Sequence, residues 1–420
     1  MRRFGVIAGA LLVGVIAVFA ELDTAALSRD HPAIRYSTRP TSDPVAQLNR
    51  KIRDGAVSLV FDGPSGYLKS ILKELNVPVE SQMAVFSKTS RQLGLIEPHN
   101  PRTIFFNDSV VVAWMRGGFV ELASLDPEQG AVFYTLEQQR RDNPQFIRHD
   151  DCLSCHQSEA TLGIPGMMVR SMFTSPDGSP WLVLGGYTTD HRSPFEERWG
   201  GWYVTGNLGS LSHMGNTMIN EPDAPDSTKV RQPSDIKSLN EKFDTTGYLT
   251  PYSDVAALLV FNHQMQMINL ITRMGWESRI GLDGNSAEQG NLAQTARELV
   301  DYMLFIDETP IPAKLRGNSG FAEKFAALGP FDHQGRSLRQ LALHRRLMQY
   351  PCSYMIYSDA FNALPARAKE ALYGRMWQIL SGRETGRKYA KLSSVDRETI
   401  VEILRDTKKD LPAYFRPVTN

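Results

Sequence analysis

The stretch TIFFNDSVVVAWMRGGFVELASLDPEQGAVFYTLE, residues Thr103–Glu137, decides how the chain folds. Its apolar residues are largely β-branched or aromatic, and turn residues split them into short runs. Strands are expected over Thr103–Phe106, Ser109–Met115, Phe119–Leu125 and Ala131–Glu137. Gly117-Gly118 suits a tight hairpin between the second and third. Asp126-Pro127-Glu128-Gln129-Gly130 suits a longer turn before the fourth. The reading is a β-meander.

Directly after this meander comes His149-Asp150-Asp151-Cys152-Leu153-Ser154-Cys155-His156. Cys-x-x-Cys-His is the attachment pattern for c-type haem. Two thiols must reach the two vinyl groups on one porphyrin edge, and the next residue must turn an imidazole nitrogen under the iron. Cys152 and Cys155 are therefore read as thioether anchors and His156 as the proximal axial ligand. A redox Cys-x-x-Cys with an incidental His would need a βαβ context, and none is visible. Half of a zinc site would need a second Cys or His pair. Cys352 is the one other cysteine, and no His-x3–5-His pair occurs.

The N-terminus agrees with haem c. Met1-Arg2-Arg3 precedes an apolar run from Phe4 to Ala20, and Glu21 and Asp23 follow. Residues 1–20 read as a secretory signal, or as an uncleaved anchor, since the run is near the lower limit for spanning a bilayer. Either places the body outside the cytoplasm, in the periplasm or secreted, where bacteria attach haem to such motifs. With two of three cysteines given to haem, no intramolecular disulfide remains, so the core must stabilise the fold. Lys plus Arg and Asp plus Glu are 46 each, which leaves no global field for nucleic acid. A mean hydropathy of −0.29 fits a soluble globular body, with membrane contact only through an uncleaved N-terminus.

The rest follows outward. Residues 21–102 read as an extended arm with short helices at Pro44–Arg53, capped by Asp43, and at Tyr67–Leu75. Residues 103–221 form the expected β-rich haem c domain, with further strands at Met167–Thr174, Trp181–Tyr187 and Trp199–Thr205. The haem motif then sits between strands. Residues 222–252 are polar and turn-rich, a linker. Residues 253–420 read as helices: Asp254–Met274, Ala287–Ile306, Phe321–Leu328, Leu338–Tyr350, Pro365–Leu380 and Ser394–Thr407. The fold class is α+β, a β-rich domain followed by an all-α one.

A resemblance covers nearly the whole chain. Lys88-Thr89-Ser90, Phe106-Asn107-Asp108, Gly130-Ala131-Val132-Phe133-Tyr134-Thr135-Leu136 and the Cys152–His156 motif occur in order. Arg198-Trp199-Gly200-Gly201-Trp202-Tyr203-Val204-Thr205-Gly206, His213-Met214-Gly215-Asn216 and Pro351-Cys352-Ser353-Tyr354-Met355-Ile356-Tyr357 follow. The chain resembles a family of uncharacterised secreted bacterial proteins known only by a cytochrome c domain. The resemblance implies one covalent haem c and no assigned reaction. The strand–CxxCH–strand order also resembles haem-bearing PAS-like periplasmic sensor domains.

The sixth iron position decides what the haem does: a Met suits electron transfer, an open position admits small ligands. Met167 and Met168 follow His156 by eleven and twelve residues, close enough to wrap the haem edge or simply to begin a strand. His213, with Met214 beside it, is the other distal candidate, against a solvated loop histidine. His263 lies mid-helix and reads first as a buried core histidine. Arg192 or Arg198 could meet haem propionates or form surface ion pairs. Trp199 and Trp202 could wall the haem or fill the sheet core. Cys352 reads as a small buried apolar residue. Electron transfer, with a redox partner protein or a small-molecule donor or acceptor, is the leading function. A haem-based gas or redox sensor and a haem enzyme such as a peroxidase are the alternatives.

Overall fold

The computed structural model describes residues 26–220, 235–282, 292–384 and 386–416. The N-terminal apolar run and the first part of the expected linker lie outside them.

The meander is there. Strands β1 (Met83–Val85), β2 (Arg102–Phe106), β3 (Val110–Trp114), β4 (Val120–Asp126), β5 (Gly130–Leu136) and β6 (Ile147–Arg148) pair antiparallel with their neighbours in chain order. β7 (Arg170–Met172) and β8 (Gly186–Thr188) form a separate hairpin, and β9 (Trp202–Tyr203) closes the main sheet beside β1. The expected strand at Met167–Thr174 shortens to β7. The one at Trp181–Tyr187 becomes a 3-10 turn, Leu182–Leu184, followed by β8, and the one at Trp199–Thr205 shortens to β9.

Register fixes which side chains share a face. Phe133, Ala123, Val111 and Phe106 are partners across the sheet, as are Thr135, Glu121, Ala113 and Ile104. Tyr134, Leu122 and Val112 belong to the opposite face. Helix α1 (Pro44–Arg53) covers that opposite face. Asp43 caps it, accepting from Val45 N and Ala46 N, and also accepts from the Tyr134 hydroxyl at 2.8 Å. Helix α2 (Leu68–Glu74) follows, and α3 (Leu153–His156) is the single turn that ends the Cys-x-x-Cys-His motif.

The Phe106 side receives α4 (Val255–Leu282), through Phe261, whose ring lies 5.1 Å from Phe106. Of the 28 residues of α4, 24 are buried, so this is a central helix rather than an amphipathic surface one. Most of its buried polar residues find partners on neighbouring segments. Asn262 donates to Thr189, Gln264 donates to the Asn107 carbonyl and accepts from Tyr354, and Arg273 pairs with Glu277. Helices α5 (Leu292–Met303), α6 (Phe321–Ala327), α7 (Asp359–Asn362) and α8 (Ala366–Leu380) pack on it, and α9 (Ser394–Thr407) packs on α8. One continuous apolar cluster runs from the sheet through α4 into these helices. Among the described residues no helix is long and apolar enough to cross a membrane.

One expected helix is wrong. Leu338–Tyr350 forms a hairpin, β10 (Leu341–His344) and β11 (Arg346–Met348), so the C-terminal region is helical but not all-α. The reason is tertiary. The 311–315 segment lies alongside and supplies backbone partners: Leu315 N donates to Leu343 O, and Ile311 and Arg345 exchange two bonds. Leu343 and Arg345 adopt left-handed backbone (φ 52° and 66°), which a continuing helix forbids. The helix-forming Leu, Arg and Gln residues are overruled by these partners.

Candidate functional site

The motif turn is built from the end of β5 outward. His149 N donates to the Phe133 carbonyl at 2.9 Å, and His149 Nε2 meets Thr135 Oγ1 at 2.9 Å. The chain therefore leaves the sheet at a fixed place. Asp150-Asp151-Cys152 then forms a 3-10 turn that runs into α3. Acidic residues suit the start of a helical turn, and an arginine holds each of these: Arg148 pairs with Asp150 and Arg91 with Asp151. The Arg91 guanidinium keeps the Asp151 carboxyl below its usual range. Arg91 Nη1 also reaches Cys152 Sγ at 3.9 Å.

His156 Nδ1 lies 3.0 Å from the Gly166 carbonyl oxygen. A carbonyl only accepts, so Nδ1 carries the hydrogen and Nε2 keeps a free lone pair. The loop closes in both directions, since Gly166 N donates to the His156 carbonyl at 2.9 Å. Phe133 packs against the imidazole, with ring centres 4.6 Å apart. Burial pushes the imidazole below its usual range, against the Gly166 hydrogen bond, and Arg102 acts in the same direction as burial. The ring is thus neutral at pH 7, as metal ligation requires.

Cys152 is half-buried, Cys155 is exposed, and both are free thiols. Burial raises the Cys152 thiol above its usual value. A reactive dithiol centre has a lowered thiol, so this is not its signature. Among the described residues, no three His, Cys, Asp or Glu side chains gather where a metal ion could sit. Cys152, Cys155 and His156 therefore do not converge as zinc ligands would.

What the three residues fit is a group that brings its own ring of donors and needs one lone pair, two thiols and an apolar wall. Phe133, which packs on His156, supplies apolar surface there. Ile104, Ala113 and Ala123 lie on the same sheet face and are buried in the core with it. Arg102 stands on the same face, where its Nη1 pairs with Glu121 at 3.4 Å and its buried Nε has no hydrogen-bond partner. Two thiols, one free imidazole lone pair and an aromatic wall are the parts that a covalently held tetrapyrrole would use.

Most of the remaining candidates are core residues. Met167 is 5% exposed within the apolar core, and both its backbone groups are bound by Asn269; Met168 is half-buried next to it. His213, expected in a solvated loop or over the haem, is 1% exposed, packs edge-on against Trp199 and accepts from Gly215 N. Met214 receives a contact from Ser171. Trp199 and Trp202 are core residues, donating to Asn262 and to the Arg170 carbonyl. Arg192 pairs with Asp190 and Glu298, and Arg198 is buried against the carbonyls of His191 and Ser193. Cys352 is buried.

His263 is a core histidine with two partners. Its Nδ1 meets His191 Nδ1 at 2.7 Å, and its Nε2 meets Ser353 Oγ at 2.7 Å. Burial pushes His263 and His213 down to about 3. It also pushes His191 well below the usual range, with His263 adding to the shift. Folded, these rings stay neutral; unfolded, they take up protons below about pH 6.5. Stability is therefore complete above pH 6.5 and falls as pH drops from there toward 3. The slope is about 1.4 kcal/mol per pH unit for each such histidine. Urea midpoints from pH 7 to 4.5 should show the fall, and His263→Gln should flatten it.

The sequence reading missed Gly166, Arg91 and Asn269. Pro165-Gly166 carried a turn signal ten residues past His156, but nothing local says where its carbonyl points. Comparison with protein-family models, curated proteins and solved structures finds no match for this chain.

Proposed function

We propose that the protein is a mono-haem c cytochrome that carries electrons outside the cytoplasm. One observation supports this above the others: His156 hydrogen-bonds through Nδ1 to a backbone carbonyl and so leaves Nε2 free, in a chain turn that also carries two free thiols. Metal-bound histidines are held in this way, with the second ring nitrogen donating to a carbonyl or carboxylate. The Cys152 and Cys155 thiols would each add across a vinyl double bond, sulfur and hydrogen both joining the substituent, so nothing is released. Bound haem supplies one-electron exchange between ferric and ferrous iron. His156 would hold the iron, and Phe133 would pack beside that ligand. Cys155 is exposed, so the thioether edge would reach the surface, where a redox partner protein or a small donor or acceptor could approach.

The test is a redox titration of the purified holoprotein, with ferrous spectra recorded with and without carbon monoxide. Electron transfer predicts a reversible one-electron couple and a low-spin ferrous spectrum that carbon monoxide does not change. A spectrum that shifts fully with carbon monoxide overturns it in favour of a ligand-binding role.

A further inference from the structure

Asn269 sits in the middle of the central helix and is 1% exposed. Its side chain binds the backbone of Met167 twice: Oδ1 accepts from Met167 N at 3.0 Å, and Nδ2 donates to Met167 O at 2.7 Å. The Met167 N–H belongs to the same peptide unit as the Gly166 carbonyl. That unit is planar and trans, so its N–H and C=O point in opposite directions. With the N–H fixed on Asn269, the carbonyl is aimed the other way, and there it receives His156 Nδ1–H.

Two further contacts hold the segment. Ala131 N donates to the Pro165 carbonyl at 3.1 Å, and Arg273 Nη1 donates to Leu162 O at 2.8 Å. Gly166 itself admits the close approach of the helix: a Cβ there would lie 2.3 Å from Asn269 Oδ1.

We propose that Asn269 is a positioning residue for His156. It acts on the imidazole through one peptide group. It sets the direction of the Gly166 carbonyl, and by accepting at the N–H it makes that carbonyl a stronger acceptor, since hydrogen bonds in a chain polarise one another. A stronger acceptor at Nδ1 makes Nε2 a better donor, which favours ferric iron and lowers the reduction potential. This rests on the haem reading above.

The experiment is the reduction potential of holoprotein carrying Asn269→Leu, with Asn262→Leu as a control. Asn262 is buried on the same helix and bonds Thr189 and Trp199, away from the motif loop. N269L should raise the potential, with about a tenfold shift of the ferric-to-ferrous ratio, or about 59 mV for one electron. N262L should lower stability and leave the potential alone. Should N269L fail to accumulate, Asn269→Asp keeps an oxygen acceptor of greater strength and should lower the potential. A potential unmoved in whichever Asn269 variant folds, or moved equally by N262L, overturns the proposal. If the wild-type protein carries no covalent haem, the haem reading fails instead, so the two failures are distinct.

Discussion

His156→Gly is expected to keep the pigment on the polypeptide and lose the iron's protein ligand. Under the proposed function, covalent retention would depend on Cys152 and Cys155, which this change leaves in place. Ligation would depend on Nε2, the imidazole nitrogen that the Gly166 hydrogen bond leaves free. The variant should show a spectrum with a weak or solvent ligand on that side. Added imidazole should restore the wild-type bands, because it replaces the missing donor in a space of its own size. The reduction potential should change together with the bands, since axial ligand identity is the main control on it. A wild-type spectrum in H156G without added imidazole would show that another residue holds the iron.

Arg273→Leu is expected to cost about 3–5 kcal/mol of folding stability. Arg273 and Glu277 are one turn apart on α4, their nitrogen and oxygen are 2.6 Å apart, and each side chain is 1% exposed. Removing the cation leaves the Glu277 carboxylate buried, with the Thr295 hydroxyl that already donates to its other oxygen. It also removes the donor to Leu162 O in the loop behind the motif. Replacing both residues, R273L with E277L, should cost less than R273L alone, because no buried charge is then left over. Urea denaturation of the two variants decides it. A loss under about 1 kcal/mol in R273L would mean that the pair is not insulated from water.

These two residues mark the limit of what the sequence discloses. The four central strands were legible because each is a short β-branched or aromatic run bounded by Gly, Pro or Asp, and local pattern decides such strands. The start of α1 was legible for the same kind of reason, with Asp43 and Pro44 at its cap. Leu338–Tyr350 was not, because its pairing depends on residues 311–315. At the site, the three motif residues were legible as a spacing. Their supports were not, since Gly166, Asn269 and Arg91 reach the motif from separate parts of the chain. One signal was available. Asn262, Asn269 and Arg273 recur at seven and four residues along an apolar helix, a polar line on one face. Such a line inside a buried helix marks where other segments are tied to it, and here Thr189, Met167 and Leu162 are tied.

The central claim is that iron porphyrin is bonded to this chain through Cys152 and Cys155. Its most direct test is to produce the protein beside a working cytochrome-maturation apparatus, denature it and extract it with acid acetone. The colour should stay with the wild-type polypeptide and should not stay with a C152A/C155A variant. Colour that passes into the solvent from the wild-type protein, or that the wild-type protein never acquires, would contradict the account.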